Sequence, residues 1–194
     1  MRPILPLCLL VPTAAALLLG GCDGGEDEPP ARPPETADPL PNLPRHWTRE
    51  VNREAGFAIG VPPRWSSRDR RRGSLFRSPD RLVAVSVSGD SREGALVVPV
   101  EEFATRVAEA LPKLRRLEAG RPRPFRARYE AAAVSATGKA AGGAVPQRLL
   151  VVVARREGLA TYTVVVARNA RRGGQAHREQ VRRMLRSLRG RPFG

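Results

Sequence analysis

Few side chains in this 194-residue sequence are of types that do covalent or metal chemistry. There are two cysteines, Cys8 and Cys22, and two histidines, His46 and His177. No Cys or His pair has the spacing of a metal site, so no metal or other cofactor is expected. No glycine-rich loop is placed to cradle phosphate, and there is no Gly-x-Ser-x-Gly nucleophile elbow. Ser74, Ser86 and Ser187 fall at ordinary strand or helix positions. Glu101 and Glu102 suit the first turn of a helix, where its dipole favours acids, better than paired acid/base work. A hydrolase would need His46 or His177 brought into a cleft with a nucleophile, and is the remote alternative. Cys22 is left as the residue with the clearest chemistry. Cys8 lies in an apolar leader, so an exported chain would keep one thiol and no internal disulfide framework.

The surroundings of Cys22 say what that thiol is for. Met1-Arg2 is followed by an apolar run, residues 4–19, broken only by Pro6, Pro12 and Thr13. The run is short of the roughly 20 residues a membrane-spanning helix needs. It has the charge, apolar stretch and small-residue end of a secretory signal. Cleavage after any small residue is one reading. Leu19-Gly20-Gly21-Cys22, however, resembles the bacterial lipobox, in which the cut falls before a cysteine that already carries diacylglycerol. The resemblance implies a signal peptide over residues 1–21 and a mature chain starting at Cys22, with its thiol lipidated and its amine acylated. Two or three acyl chains anchor stably, at about 0.8 kcal/mol per buried CH₂, where one binds only marginally. The implied location is the extracytoplasmic face of the cell membrane.

Residues 23–44 contain seven prolines and six acids against one base, a net charge of −5. Such a composition cannot build a core and is expected to stay extended, so residues 22–44 read as a lipidated cysteine and a tether. At about 3.1 Å per residue in polyproline conformation, the tether's reach is roughly 70 Å. The rest of the chain inverts the charge. Residues 45–194 hold 32 Lys and Arg against 13 Asp and Glu, a net +19, and only Lys113 and Lys139 of the whole chain are lysines. An arginine-rich, Ala/Gly/Pro/Val-rich composition is what a GC-rich coding bias produces, which makes a merely solvated basic surface the first reading. The second is contact with anionic headgroups or cell-wall polymers, since a lipid anchor and a basic surface are complementary membrane signals. Arg68, Arg70, Arg71 and Arg72 in one stretch, and Arg178, Arg182 and Arg186 on a terminal helix, are the candidate contacts. Nucleic acid is not expected, because the basic stretches lack interleaved aromatics and the export signal removes the chain from it.

A foldable pattern runs from residue 45 to residue 190, with 191–194 as a tail. Residues 46–51 read as a first strand, and Phe57, Ile59 and Val61 alternate as a second, ended by Pro62-Pro63. Trp65 is expected to cap the core. Residues 66–73 read as an exposed loop, and 74–78 and 82–88 as strands. Pro99 suits a first helical position, and Val100, Phe103, Val107, Ala110, Leu111 and Leu114 recur at helical spacing until Pro112 ends or kinks the helix. A long strand is expected from Phe125 to about Ala136, then a small-residue loop over 138–143. Residues 147–155 and 159–168 are the most β-rich and should form a tight hairpin about Arg156-Glu157-Gly158, with both faces covered. A last helix turns Val181, Met184, Leu185 and Leu188 inward.

Residues Gly56-Phe57-Ala58-Ile59-Gly60-Val61-Pro62-Pro63-Arg64-Trp65 are similar to the opening motif of PsbP-like domains. The close, Val166-Ala167-Arg168-Asn169 followed by a helix ending Leu185-Arg186-Ser187-Leu188-Arg189, resembles theirs too. The resemblance implies an α+β fold of the α/β/α sandwich type, a mainly antiparallel sheet of about 6–7 strands between two principal helices. It places the chain beside the extrinsic oxygen-evolving-complex subunit, a Ran-binding import factor and many actinobacterial lipoproteins. Those are mostly binding or assembly proteins, and no functional residue carries over, because the matching positions are turns and core. The expectation is a non-catalytic, membrane-anchored module for a protein or small ligand at the cell envelope, with a basic scaffold for anionic lipid or cell-wall polymer as the alternative.

Overall fold

The computed structural model describes residues 42–70, 72–92, 97–111, 114–140, 145–172, 175 and 177–191. Two short strands open it. β1 (Thr48–Asn52) and β2 (Phe57–Val61) pair antiparallel, and all of β2 is buried. β3 (Ser66–Arg70), β4 (Gly73–Arg77) and β5 (Val83–Asp90) follow, then helix α1 (Val100–Glu109). β6 (Leu114–Ala119), the two-residue β7 (Arg123–Pro124), β8 (Glu130–Ala140), β9 (Pro146–Arg156) and β10 (Ala160–Asn169) come next. Helix α2 (Arg178–Ser187) and a two-residue β11 (Arg189–Gly190) close the chain. The large sheet is antiparallel, in the order β3-β4-β5-β10-β9-β8-β6, with β7 also on β8. A three-stranded sheet, β1-β2-β11, is separate from it. The class is the expected one, α+β with a mainly antiparallel sheet between two helices.

The valine-rich hairpin explains the layering. Side chains alternate across a strand, so the odd and even valines of β9 serve different cores. Val151 and Val153 pack with Ala132, Val134 and the α1 residues Val100, Ala104 and Ala108. Val152, Val164 and Val166 face the other way, toward Phe57, Ile59 and Val61 of β2, Val181 and Met184 of α2, and Leu188 just after it. Burying both faces is why these strands read as nearly continuous valine.

Several boundaries differ from the sequence expectation, each for an identifiable reason. Residues 66–73 are not a loop. β3 pairs with β4 along Ser66↔Arg77 to Arg70↔Gly73, yet every β3 residue is exposed, so this polar edge strand carries no apolar alternation to read. The helix stops at Glu109 and does not reach Leu114, which opens β6, because Pro112 cannot extend an α-helix. The strand expected from Phe125 begins at Glu130 and runs through Gly138 to Ala140. Phe125 and Tyr129 instead pack, half-buried, against the core shared with β2 and α2. The two N-terminal strands join β11 in their own sheet, a return that no periodicity in two residues could announce.

Candidate ligand-binding groove

Helix α2 forms one wall of the site, and three sets of contacts fix it. Its apolar face buries Val181 and Met184. At its C-terminal end the Ser187 hydroxyl donates to Met184 O at 2.7 Å and accepts the Gly60 N–H at 2.8 Å, tying the helix to β2. At its N-terminal end His177 has φ 55°, and its Nδ1 lies 2.7 Å from Gln180 Oε1. The Trp65 indole N–H donates to the same Gln180 oxygen at 3.2 Å, and the Trp65 and His177 rings meet edge-on at 5.6 Å. Trp65 is thus the buried cap expected of it and a fastener of α2 as well.

His177 Nε2 lies 2.9 Å from Asp80 Oδ2, and Asp80 Oδ1 accepts the Ser78 hydroxyl at 2.6 Å and the Leu82 N–H at 3.1 Å. The serine hydroxyl therefore faces the carboxylate and not the imidazole, an order suited to bracing a turn and not to a nucleophile and its base. These hydrogen bonds, Ser78's foremost, hold the Asp80 carboxyl down from 3.8 to about 2. A depressed carboxylate stabilises the fold above its unfolded pKa, and that contribution is lost as pH falls through the folded value. Asp80→Asn is expected to be less stable than wild type above pH 3.8, with the difference shrinking as pH falls through about 2. Urea midpoints across the acid limb check this; a difference that ignores pH would remove the carboxylate from the account. His46, by contrast, is exposed ahead of β1.

Between α2 and the β10-β9-β8-β6 part of the large sheet lies a groove of about 790 Å³. The hairpin register builds its floor. Beyond the buried pair Val164 and Val152, Val166 stands opposite Leu150 and Arg168 opposite Arg148, and these four line the groove. Each column keeps to the α2 side of the sheet, so the aliphatic rows give way to a pair of arginines at one level. On β8 the same rows continue as Ala133, Ser135 and Thr137. Phe125, Val181 and Leu185 complete the apolar lining, and Arg123, Arg178 and Arg182 complete the basic one against a single acid, Glu118.

Two like charges directly across a sheet are destabilising. Neither Arg148 nor Arg168 makes a hydrogen bond or ion pair among the described residues, and Arg168 Nε is buried without a partner there. Burial, and then the charge of Arg178, pushes the Arg168 guanidinium down from its ordinary value. Arg178 donates to Gln175 at 3.2 Å, Arg123 reaches the Ser135 hydroxyl only at 3.5 Å, and Arg182 meets Glu179 at 3.5 Å. The groove thus concentrates positive charge over an apolar floor with few anionic partners of its own.

Of the arginines singled out from the sequence, Arg178 and Arg182 line this groove. Arg186 is exposed elsewhere on α2. Arg68 and Arg70 are exposed on β3, at the opposite edge of the large sheet, with Arg72 in the turn after it. Arg71 and Cys22 lie outside the described residues. Arg68, Arg70 and Arg72 do not line the groove. Arg148 and Arg168 stand apart in sequence from either arginine-rich stretch, although a hairpin turning at Glu157-Gly158 sets them opposite each other. Among the described residues no three His, Cys, Asp or Glu gather as metal ligands, and no helix is long and apolar enough to cross a membrane.

No protein-family model matches the sequence, and no curated protein is similar to it. Solved structures do match in fold. The Ran-binding protein Mog1p of Saccharomyces cerevisiae is similar at a TM-score of 0.50 and 8% identity, over 73% of this chain and 94% of that one. A Bacteroides thetaiotaomicron protein is similar at 0.51 and 13% identity, over 75% of this chain. This chain spans about half (49%) of that protein's length. At such identities the likeness shows the fold, and the fold is of the Mog1/PsbP type.

Proposed function

We propose that this chain is a non-catalytic binding module, a lipoprotein held on the extracytoplasmic face of the cell membrane through Cys22, and that the groove under α2 holds its ligand. The observation that carries the binding role is the groove itself, an apolar floor beneath guanidinium groups that the rest of the described chain leaves largely unneutralised. The volume lies within the roughly 300–1,000 Å³ of small-molecule sites. The yeast neighbour is called a Ran-binding protein, which is in keeping with a fold used for binding. The anchoring role rests on Leu19-Gly20-Gly21-Cys22 and on the proline-rich acidic stretch after it, which would let the domain stand clear of the headgroups or touch them.

A basic scaffold for anionic lipid or cell-wall polymer is the second reading, favoured by the exposed Arg68 and Arg70 of the β3 edge. The anchor is tested by feeding producing cells an alkynyl fatty acid. Wild type should carry the label and partition with membranes, and Cys22→Ser should do neither. Equal labelling of the two would sink the anchor.

A further inference from the structure

We propose that the groove takes an anionic amphiphile, a single acyl chain bearing one carboxylate or phosphate, with its head between Arg148, Arg168 and Arg178 and its chain along Phe125, Leu150 and Leu185. The inference rests on the groove being the binding site and adds the chemistry of what it binds. Arg148 and Arg168 stand directly opposite in the β9-β10 register, an arrangement that costs stability unless an anion lies between them. A buried, unpaired donor such as Arg168 Nε carries a desolvation penalty that an incoming acceptor relieves. A carboxylate or phosphate matches the guanidinium fork with two parallel hydrogen bonds.

The rest of the lining says what the anion is attached to. Phe125, Leu150, Val166, Val181 and Leu185 border the same groove as the arginines. An inorganic anion would leave that surface wet, and a neutral lipid would leave the arginines opposed. A polymeric anion would need a continuous basic track, whereas the arginines of β3, the edge strand opposite β6, do not line this groove.

The full chain carrying Cys22→Ser, which has no acyl chain of its own to compete, is titrated with dodecanoate and dodecyl phosphate below their micelle concentrations. Dodecanol and inorganic phosphate serve as probes of the chain alone and the head alone. Both anionic amphiphiles should bind one per chain, and at least tenfold more tightly than either partial probe. Arg168→Gln should weaken them by tenfold or more, and Arg68→Gln with Arg70→Gln should leave them unchanged. In the unliganded chain Arg148→Gln should raise Tm by about 1–3 °C, because it relieves the opposed charges. That readout does not depend on the ligand or on a variant that fails to fold. Equal binding of dodecanol, or loss of binding with the β3 variants, overturns the proposal. A raised Tm without amphiphile binding rejects this ligand class and leaves the groove as the cationic site of the module. No Tm change and no binding removes both, while the Cys22 anchor stands or falls on its own label.

Discussion

Phe57→Ala is expected to cost the folded chain about 3–5 kcal/mol, the range for emptying a buried phenylalanine site. Phe57 is fully buried in β2, between Asn52 of β1 and Gly190 of β11. It belongs to the core in which the small sheet, the large sheet and α2 meet. The same strand also holds α2 through Gly60 and Ser187, so the cavity would open beneath the helix that walls the groove. Urea unfolding should show a lowered midpoint at an unchanged slope. Ligand binding should weaken too, although Phe57 does not line the groove. A loss below about 1 kcal/mol would mean that the small sheet is not integrated with the large one.

How much of this was legible depended on whether the signal was local. The β9-β10 hairpin was, because a tight turn fixes register and two-sided burial leaves runs of valine. Both helices were, because one face of each is apolar at helical spacing. β3 was not, since a strand exposed on both faces alternates nothing and is held by its ladder to β4 and by Asp69, which accepts the Ser74 hydroxyl at 2.6 Å. β6 was hidden because Leu114 extends the helical spacing past the proline that ends the helix. The groove was half legible. The turn at Gly158 already pairs Arg148 with Arg168, but only the packing of α2 over the sheet makes that pair a site. Arginines adjacent in sequence, such as Arg68 and Arg70, stand out along the chain, whereas a pair twenty residues apart becomes a neighbour only through the hairpin.

The second large effect is expected at Asn52→Leu, which keeps the side chain's approximate shape and removes its polarity. Asn52 is 7% exposed. Its Nδ2 donates to Gly73 O at 3.0 Å and Ser74 Oγ at 3.1 Å, and its Oδ1 accepts the Ala55 N–H at 2.8 Å. One amide thus closes the β1-β2 turn and fastens that turn to the start of β4, across the junction of the two sheets. The junction is tight. A Cβ on Gly89 would fall 2.0 Å from Ala55 O, so β5 runs directly against the same turn. Leucine would leave the Ala55 N–H and the Gly73 carbonyl buried without their partner, at about 1–3 kcal/mol for each orphaned group. The expected loss is therefore about 3–4 kcal/mol, read as a shift of the urea midpoint. Because Ser74 shares the network, Asn52→Leu and Ser74→Ala should be non-additive by at least about 0.5 kcal/mol in a double-mutant cycle. Additive losses would show that the amide acts only on its own turn, and that something else joins the sheets.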